Sequence, residues 1–201
     1  MTPLSKAQGR PRSPLIDEAI VNAAIELTAE KGIAALTIDA IVTRAGTTRP
    51  AFYRRFRNLS ELLVVMGQSP ELTRVPDTGT LEGDLAKLIG AHVAHLAHPV
   101  TREALAEIVG SLSREPEFAL DFATHVNQPT RRVFQQIIDH AVQRRELPED
   151  PLRDVEWLYD LAIGPAVLRA TFPHSQPLDE TLVARSVEAV LAVLGVHPIN
   201  G

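Results

Sequence analysis

The sequence predicts an all-α protein with two domains. Only 4% of its 201 residues are aromatic, Ala and Leu are plentiful, and apolar residues recur at helical spacing without a clear alternation of period two. The charge also changes sign along the chain. Residues 1–60 hold nine Lys or Arg against five Asp or Glu, whereas residues 61–201 hold eleven against twenty. We therefore expect a basic helical domain over residues 1–67 and a second, acidic helical domain over residues 68–201.

The chain begins with a basic segment that precedes the first predicted helix. Lys6, Arg10 and Arg12 lie among Pro, Gly and Ser, a composition that suits either a solvated tail or an arm that follows DNA. From Leu15 to Lys31 the apolar residues have helical spacing, and Gly32 is expected to end the helix.

The segment from Thr37 to Leu63 predicts two short helices joined by a tight turn. Thr37 is expected to cap the first helix, and Gly46 can adopt the positive φ that a sharp turn needs. Thr47 or Thr48 should cap the second helix. Within that helix Phe52 and Phe56 are expected to face the core, and the residues expected outside are Arg49, Tyr53, Arg54, Arg55 and Arg57. This pattern indicates a helix-turn-helix with a cationic recognition helix.

A further helix, capped by Ser60, is expected to run to about Gly67, and Gln68–Gly79 is expected to form a linker. Turn-forming prolines then bound five predicted helices. These are Leu81–His98, Thr101–Arg114, Glu117–Arg145 with a possible break near Pro129, Leu152–Thr171 with a bend at Gly164-Pro165, and Leu178–Leu194.

The last two helices carry apolar stripes wider than a surface helix needs. One interpretation is a two-fold symmetric four-helix dimer interface, and the other is that both stripes serve the core of the single chain. The residues assigned to the interface are Trp157, Leu161, Pro165, Leu168, Val187, Leu191 and Leu194.

A ligand-binding cavity is a second expectation for the C-terminal domain, because pockets combine apolar walls with few polar groups. The candidate lining residues are Phe118, Phe122, His125, Phe134, Trp157 and Tyr159. The alternative is that the aromatic residues among them form ordinary core. His92, His95 and His98 spread over too wide an arc of helix surface to predict a metal site, so no metal or other cofactor is expected.

Several functional classes lack support in the sequence. There is no cysteine, no glycine-rich phosphate loop, no G-x-S-x-G and no H-E-x-x-H, so an enzyme is not expected. No apolar run reaches the roughly 20 residues that span a bilayer, and the N-terminus lacks the apolar core of a signal peptide. We expect a cytoplasmic protein without a membrane partner.

The segment A-A-I-E-L-T-A-E-K-G-I-A-A-L-T-I-D-A-I-V-T-R-A-G-T-T-R-P-A-F-Y-R-R-F, Ala23 to Phe56, followed by S-E-L-L, resembles the TetR family of transcriptional regulators. The C-terminal stretches R-R-E-L-P-E-D, I-G-P-A-V-L-R and P-L-D-E are similar to one branch of the same family. The resemblance implies a homodimer that places two recognition helices in the major groove of a palindromic operator on double-stranded DNA.

Carried over by position, the resemblance implies that Thr37, Thr48 and Tyr53 contact phosphates. It implies that Arg49, Pro50 and Arg54 read base edges or the adjoining backbone. The family commonly has Lys where Leu59 stands, and Arg57 is the candidate for the missing phosphate contact. Leu59 and Pro50, where the family prefers Gly or Ala, are departures from the pattern.

The function expected from the sequence is therefore a DNA-binding transcriptional repressor that a small, partly apolar effector releases from its operator. The alternative is a helical module that binds a ligand or a protein and retains the fold without specific DNA recognition. The absent lysine at position 59 and the modest basic balance keep that alternative open.

Overall fold

The computed structural model describes residues 14–150, 154–172 and 176–196, which are helical and contain no β-strand. The all-α prediction is confirmed over these residues. They form two compact units, the N-terminal unit ending at Leu62 and the C-terminal unit beginning at Leu63. The division at residues 67 and 68 stays a prediction, and the basic arm over residues 1–13 lies outside the described residues.

The N-terminal unit is built on three helices with one shared core. They are α1 (Pro14–Lys31), α2 (Ile38–Arg44) and α3 (Arg49–Tyr53), with a 3₁₀ turn over Ile33–Ala35. A fourth helix, α4 (Leu59–Met66), continues past the end of the unit. The buried residues from these elements include Ile20, Ala24, Leu27, Ile41, Phe52 and Phe56, so both predicted core phenylalanines are confirmed.

The predicted turn between α2 and α3 forms through backbone hydrogen bonds at Gly46. Gly46 has φ 61°, and the N–H groups of Gly46 and Thr47 donate to the carbonyls of Thr43 and Val42 at 3.3 and 2.9 Å. This is the Schellman arrangement, in which a left-handed residue satisfies the last carbonyls of a helix. Gly46 therefore sets the point at which the chain leaves α2.

The predicted cap at Ser60 is wrong. Ser60 is buried inside α4, and the side-chain oxygen of Asn58 accepts the N–H of Glu61 at 2.9 Å. Asn is as strong a cap as Ser, and the helix begins at Leu59, two residues earlier than a cap at Ser60 implies.

The C-terminal unit consists of longer helices packed around a single apolar core. They are α5 (Leu81–Ala97), α6 (Pro99–Arg114), α7 (Pro116–Phe122), α8 (Gln128–Gln143), α9 (Val155–Thr171) and α10 (Glu180–Val193). Helix α5 contacts α6, α8, α9 and α10, so it lies at the centre of the packing. Buried residues of this core include Leu85, Ile89, Phe134, Ile137, Ala162 and Val190.

Two helices in this unit accommodate prolines in different ways. The predicted element from Glu117 to Arg145 is divided by a π-helical turn over Ala123–Asn127, which ends two residues before Pro129. Proline lacks an N–H, and the wider turn shifts the hydrogen-bond pattern at the point where a donor is missing. By contrast, α9 continues as helix through Gly164 and Pro165.

The segment predicted as a linker, Gln68–Gly79, contains a 3₁₀ turn at Pro70–Leu72, and Val75 packs against the core of the C-terminal unit. None of the helices in the described ranges is both long and apolar enough to cross a membrane.

The stretch R-R-E-L-P ends α8 and joins it to the beginning of α5. Arg144 contacts the fully buried carboxylate of Asp84 at 3.0 Å and Glu146 at 2.5 Å. Glu146 accepts the N–H of Leu81 at 2.7 Å, and Arg145 has φ 63° in the turn that follows the helix. This sequence is therefore a structural connection between two helix ends.

Candidate nucleic-acid interface

All seven residues assigned to DNA contact are exposed on the N-terminal unit. Thr37 immediately precedes α2, and the other six belong to α3 or to the residues around it. These are Thr48, Arg49, Pro50, Tyr53, Arg54 and Arg57. Tyr53 is exposed although its ring packs edge-on against the buried ring of Phe52, with centroids 5.6 Å apart. The core thus orients an aromatic hydroxyl outward.

The two threonines cap their helices as predicted. The Thr37 hydroxyl oxygen accepts the N–H of Ala40 at 3.2 Å, and that of Thr48 accepts the N–H of Ala51 at 3.4 Å. A hydroxyl that accepts one hydrogen bond still carries its own hydrogen, which can be donated to a phosphate oxygen. Capping and phosphate contact are therefore compatible roles for both residues.

Arg49 forms an ion pair with Asp39 of α2. Its Nε and Nη2 groups donate to Oδ1 and Oδ2 of the carboxylate at 2.5 and 2.6 Å. The side chains are 58% and 66% exposed, so water screens the pair and its contribution to stability is small. Hydrogen bonding to Asp39 raises the pKa of Arg49. The sequence did not indicate this pair, because its members belong to different helices.

Two other arginines of this region have partners within the protein. Arg55 was expected outside, but its side chain is largely buried, where Nε donates to Asp17 of α1 and Nη1 donates to the carbonyl of Ala51. That expectation was wrong, because Asp17 provides the charge partner that a buried guanidinium requires. Arg57 is exposed, and its backbone N–H donates to Glu61 at 2.6 Å.

A polar and aromatic cluster is buried in the C-terminal unit at the beginning of α8. The Tyr159 hydroxyl lies 2.9 Å from Oγ1 of Thr130, and the Arg131 guanidinium lies 4.5 Å from the centre of the tyrosine ring. Phe134 and His92 pack edge-on against the same ring, with centroids 5.7 and 6.3 Å away. Burial raises the pKa of Tyr159 and lowers that of His92. The cluster follows directly on the π turn.

Two of the six predicted ligand-binding residues, Phe134 and Tyr159, therefore contact each other. Phe118 and Phe122 form a second aromatic pair on α7, with centroids 6.2 Å apart. His125 is exposed and bonds to the carbonyl of Asp121 at 3.0 Å. Trp157 is 56% exposed, on the outside of α9. Their part in ligand binding stays a prediction.

An apolar stripe lies exposed along α9. Trp157, Leu161, Pro165 and Leu168 recur at helical spacing and end at Phe172. Trp157, Leu168 and Phe172 are each more than half exposed, while Leu161 and Pro165 are partly buried. On α10 the proposed interface residues Val187 and Leu191 are buried in the core of the unit, and Leu194 is partly buried. The core interpretation therefore holds for Val187 and Leu191 on α10, and the interface assignment on α9 stays a prediction.

The three histidines at the C-terminal end of α5, the last of which directly follows the helix, have different surroundings. His92 is buried and bonds to the carbonyl of Leu88, His95 is partly exposed and His98 is exposed. Across the residues that the structure describes, no group of three or more His, Cys, Asp or Glu is placed to hold a metal ion.

Comparison with known proteins identifies the family. The family described as "Tetracyclin repressor-like, C-terminal domain" matches residues 75–190, more than half of the chain. The chain belongs to the TetR family of transcriptional regulators. A second description, "Bacterial regulatory proteins, tetR family", matches residues 20–66, which include α2, α3 and the turn between them. The family match confirms the helix-turn-helix predicted from the sequence.

Individual proteins are similar over most of the chain. The uncharacterized HTH-type transcriptional regulator YdeS of Bacillus subtilis (strain 168) is 29% identical over 171 residues, which cover 83% of each protein. The crystal structure of the TetR family regulator SCO0332 matches with a TM-score of 0.72 at 23% identity and covers 91% of this chain and 99% of that one.

A second similar structure is that of FadR from Bacillus subtilis in complex with stearoyl-CoA. It matches with a TM-score of 0.57 at 19% identity and covers 90% of this chain and 100% of that one. At such identities both structural matches show the fold alone. Together with the family matches, the sequence relatives establish a DNA-binding transcriptional regulator.

Proposed function

We propose that the protein is a repressor that binds a palindromic operator as a homodimer and is released by a small-molecule effector. The observation that carries the proposal is the arrangement around α3, where Phe52 and Phe56 are buried and the seven assigned DNA-contact residues are exposed. Hydroxyl and guanidinium groups suit phosphate oxygens and the O6/N7 edge of guanine. The exposed groups therefore match the chemistry of a DNA groove.

Binding to the DNA upstream of the protein's own gene is the first test. We expect a protected palindrome in a footprint and a sequence preference in selection from genomic fragments at low salt. Arg49→Ala or Arg54→Ala should cost about 1 to 3 kcal/mol and relax preference at particular base pairs, if these arginines read base edges. Tyr53→Phe should weaken binding to all sequences alike, because a phosphate contact carries no base information.

The absence of any sequence preference at low salt would contradict the repressor proposal. The chain would then be a helical module that binds a ligand or a protein partner without specific DNA recognition. Equal losses of operator and non-specific binding in Arg49→Ala and Arg54→Ala would instead contradict only the assignment of base readers.

We propose that the stripe from Trp157 to Phe172 on α9 forms the dimer interface. Large apolar side chains that are exposed along one helix face are typical of an interface, and dimerisation would remove them from water. Leu168→Lys should yield folded monomers in sedimentation velocity, because a charge would be placed in an apolar contact. Leu120→Lys is the matched control, since Leu120 is 68% exposed and lies on α7, a different helix. A dimer that persists in Leu168→Lys would contradict the assignment.

Leu191 does not suit this test, although it was assigned to the interface. Its side chain is 1% exposed in the core of the C-terminal unit, so a charge there would unfold the unit whether or not a dimer forms. Val187 is also buried in that core and is unsuitable for the same reason.

We propose that the effector is a partly apolar small molecule that binds in the C-terminal unit beside Phe134 and Tyr159. The cluster provides aromatic surface and polar groups, and the adjacent π turn is a type of element that is frequent at functional sites. Effector binding would favour a dimer whose recognition helices no longer match half-sites about 34 to 36 Å apart.

Stearoyl-CoA is a reasonable first probe, because FadR from Bacillus subtilis was crystallised with it. Release of labelled operator by the probe, weakened in Tyr159→Phe and unchanged in the surface variant Leu120→Lys, would support this location. Release that Tyr159→Phe leaves unchanged would contradict it. Failure of this compound to release DNA would exclude it as the effector.

A further inference from the structure

The Asp39–Arg49 ion pair uses only part of the arginine. A guanidinium has five N–H groups, and the carboxylate accepts one from Nε and one from Nη2, along the side of the group. The two N–H groups of Nη1 and the second one of Nη2 point elsewhere. The end formed by Nη1 and Nη2 can also donate two parallel hydrogen bonds, and these suit O6 and N7 of guanine. Asp39 therefore leaves the base-reading edge of Arg49 unoccupied.

Arg44, in the same unit, shows the contrasting geometry. Its Nη1 and Nη2 donate to the two carboxylate oxygens of Glu30 on α1 at 2.9 and 2.7 Å. That contact uses the same edge that a guanine would need. The pair consequently joins α1 to α2, and Glu30 offers a matched control for Asp39.

The position of Asp39 gives the contact a consequence for DNA binding. Asp39 lies in the first turn of α2, two residues after Thr37, and Arg49 is the first residue of α3. A long, exposed arginine side chain loses rotamer freedom when it binds, and a carboxylate that already orients the guanidinium reduces that loss. The same carboxylate repels phosphates that approach without engaging Arg49.

We propose that Asp39 is a positioning residue that orients Arg49 toward a guanine in the operator and lowers affinity for non-specific DNA. The inference rests on the proposed function, since it needs a sequence-specific operator. It adds a residue that makes no predicted DNA contact of its own but determines how well its neighbour discriminates between bases.

The test measures dissociation constants by fluorescence anisotropy at one salt concentration for three duplexes. The first is the operator, and the third is a non-specific sequence. The second is the operator with one base pair changed, at the position where Arg49→Ala loses its base preference. The proteins are the wild type, Asp39→Asn, Glu30→Gln, Arg49→Ala and the double variant Asp39→Asn/Arg49→Ala.

Asp39→Asn should bind the operator about tenfold more weakly, within the range expected for one bidentate base contact, and should lose discrimination at that base pair. Its affinity for non-specific DNA should be equal to or higher than that of the wild type. Glu30→Gln should keep wild-type discrimination, and Asp39→Asn should have no further effect on discrimination when Arg49 is already Ala. A residue that merely stabilised the fold would weaken all three duplexes together.

Full discrimination in Asp39→Asn, or an equal loss on all three duplexes, would overturn the inference while specific DNA binding stands. An Arg49→Ala variant that keeps every base preference would also overturn the inference, because Asp39 would then have no base-reading arginine to orient. A wild type without sequence preference would refute the proposed function itself. If Asp39→Asn does not fold, Asp39→Ser provides the same comparison, since Ser is also short and polar in a first helical turn.

Discussion

The hydrogen bond between Thr130 and Tyr159 allows a quantitative test of the buried cluster. Both residues are buried, and their hydroxyl oxygens lie 2.9 Å apart. Thr130 has a second interaction, because its Oγ1 also lies 2.8 Å from the carbonyl of Asn127. The perturbations are Tyr159→Phe, Thr130→Val and the two substitutions combined.

The two single substitutions should differ in cost. In Tyr159→Phe the Thr130 hydroxyl keeps its bond to Asn127, so the loss should be that of one ordinary hydrogen bond, about 1 kcal/mol. In Thr130→Val the Tyr159 hydroxyl stays buried without its threonine partner, which should cost about 2 kcal/mol. The double variant should also cost about 2 kcal/mol, because no tyrosine hydroxyl is then left to satisfy.

Urea unfolding at one fixed protein concentration measures these free energies of unfolding. A fixed concentration is needed because dimerisation would make apparent stability depend on it. Trp157 is the only tryptophan and lies on α9, so its fluorescence reports on the C-terminal unit, with circular dichroism at 222 nm as a second probe. Thr124→Val is the matched control. The Thr124 hydroxyl also donates to a backbone carbonyl, that of Leu120 four residues earlier, but Thr124 is exposed, and the substitution should change stability by less than about 0.5 kcal/mol.

The double-mutant cycle decides the outcome. A coupling of about 1 kcal/mol between Thr130 and Tyr159 would agree with the structure. Strict additivity, or a Tyr159→Phe variant that costs more than Thr130→Val, would show that the two hydroxyls do not share the hydrogen bond described above.

Three further predictions concern single residues. Burial lowers the pKa of His92, so the folded protein binds fewer protons there than the unfolded chain; stability should fall as pH decreases from about 6.5 toward the lower folded pKa. His92→Gln should reduce this acid dependence in urea titrations at pH 7.5 and 5. An unchanged dependence would show that protonation of His92 is not its cause. Arg145→Gly should raise the free energy of unfolding by about 0.5 to 1 kcal/mol. Arg145 has φ 63° at the end of α8, and glycine adopts that conformation without strain. A loss of stability would show that the arginine side chain stabilises the fold by more than its backbone conformation costs. Asp17→Asn should destabilise the N-terminal unit by about 1 to 3 kcal/mol, because it removes the charge partner of the largely buried Arg55. Thermal unfolding measures the loss, with Glu18→Gln as the exposed control. Equal melting curves for the two variants would refute the role of the Asp17–Arg55 pair.

Much of the N-terminal unit could be predicted from the sequence, because its decisive features are local. Thr37 and Thr48 cap the helices that begin immediately after them, and Gly46 supplies the positive φ for the turn. Phe52 and Phe56 lie on one helix face through their spacing alone. The cap at Ser60 was predicted wrongly, because Asn58 is an equally good cap two residues earlier.

Sequence periodicity could not decide which parts of the α9 and α10 stripes are buried. Both helices have apolar residues on more than one side, and burial depends on which neighbouring helix covers each side. In the tertiary structure α10 packs on α5 and α9, so Val187 and Leu191 are covered. Leu168 and Trp157 on α9 remain exposed.

The sequence by itself determined the fold class, the helix-turn-helix and the exposure of the seven residues assigned to DNA contact, since these follow from helix caps, turn residues and spacing along one helix. Only the tertiary structure decided how the charged groups pair: Arg55 with Asp17, and Arg49 with Asp39. Each pair joins residues on different helices, and their distance depends on how those helices pack. The same packing brings Tyr159 of α9 to Thr130 of α8, a contact for which neither helix carries a local signal.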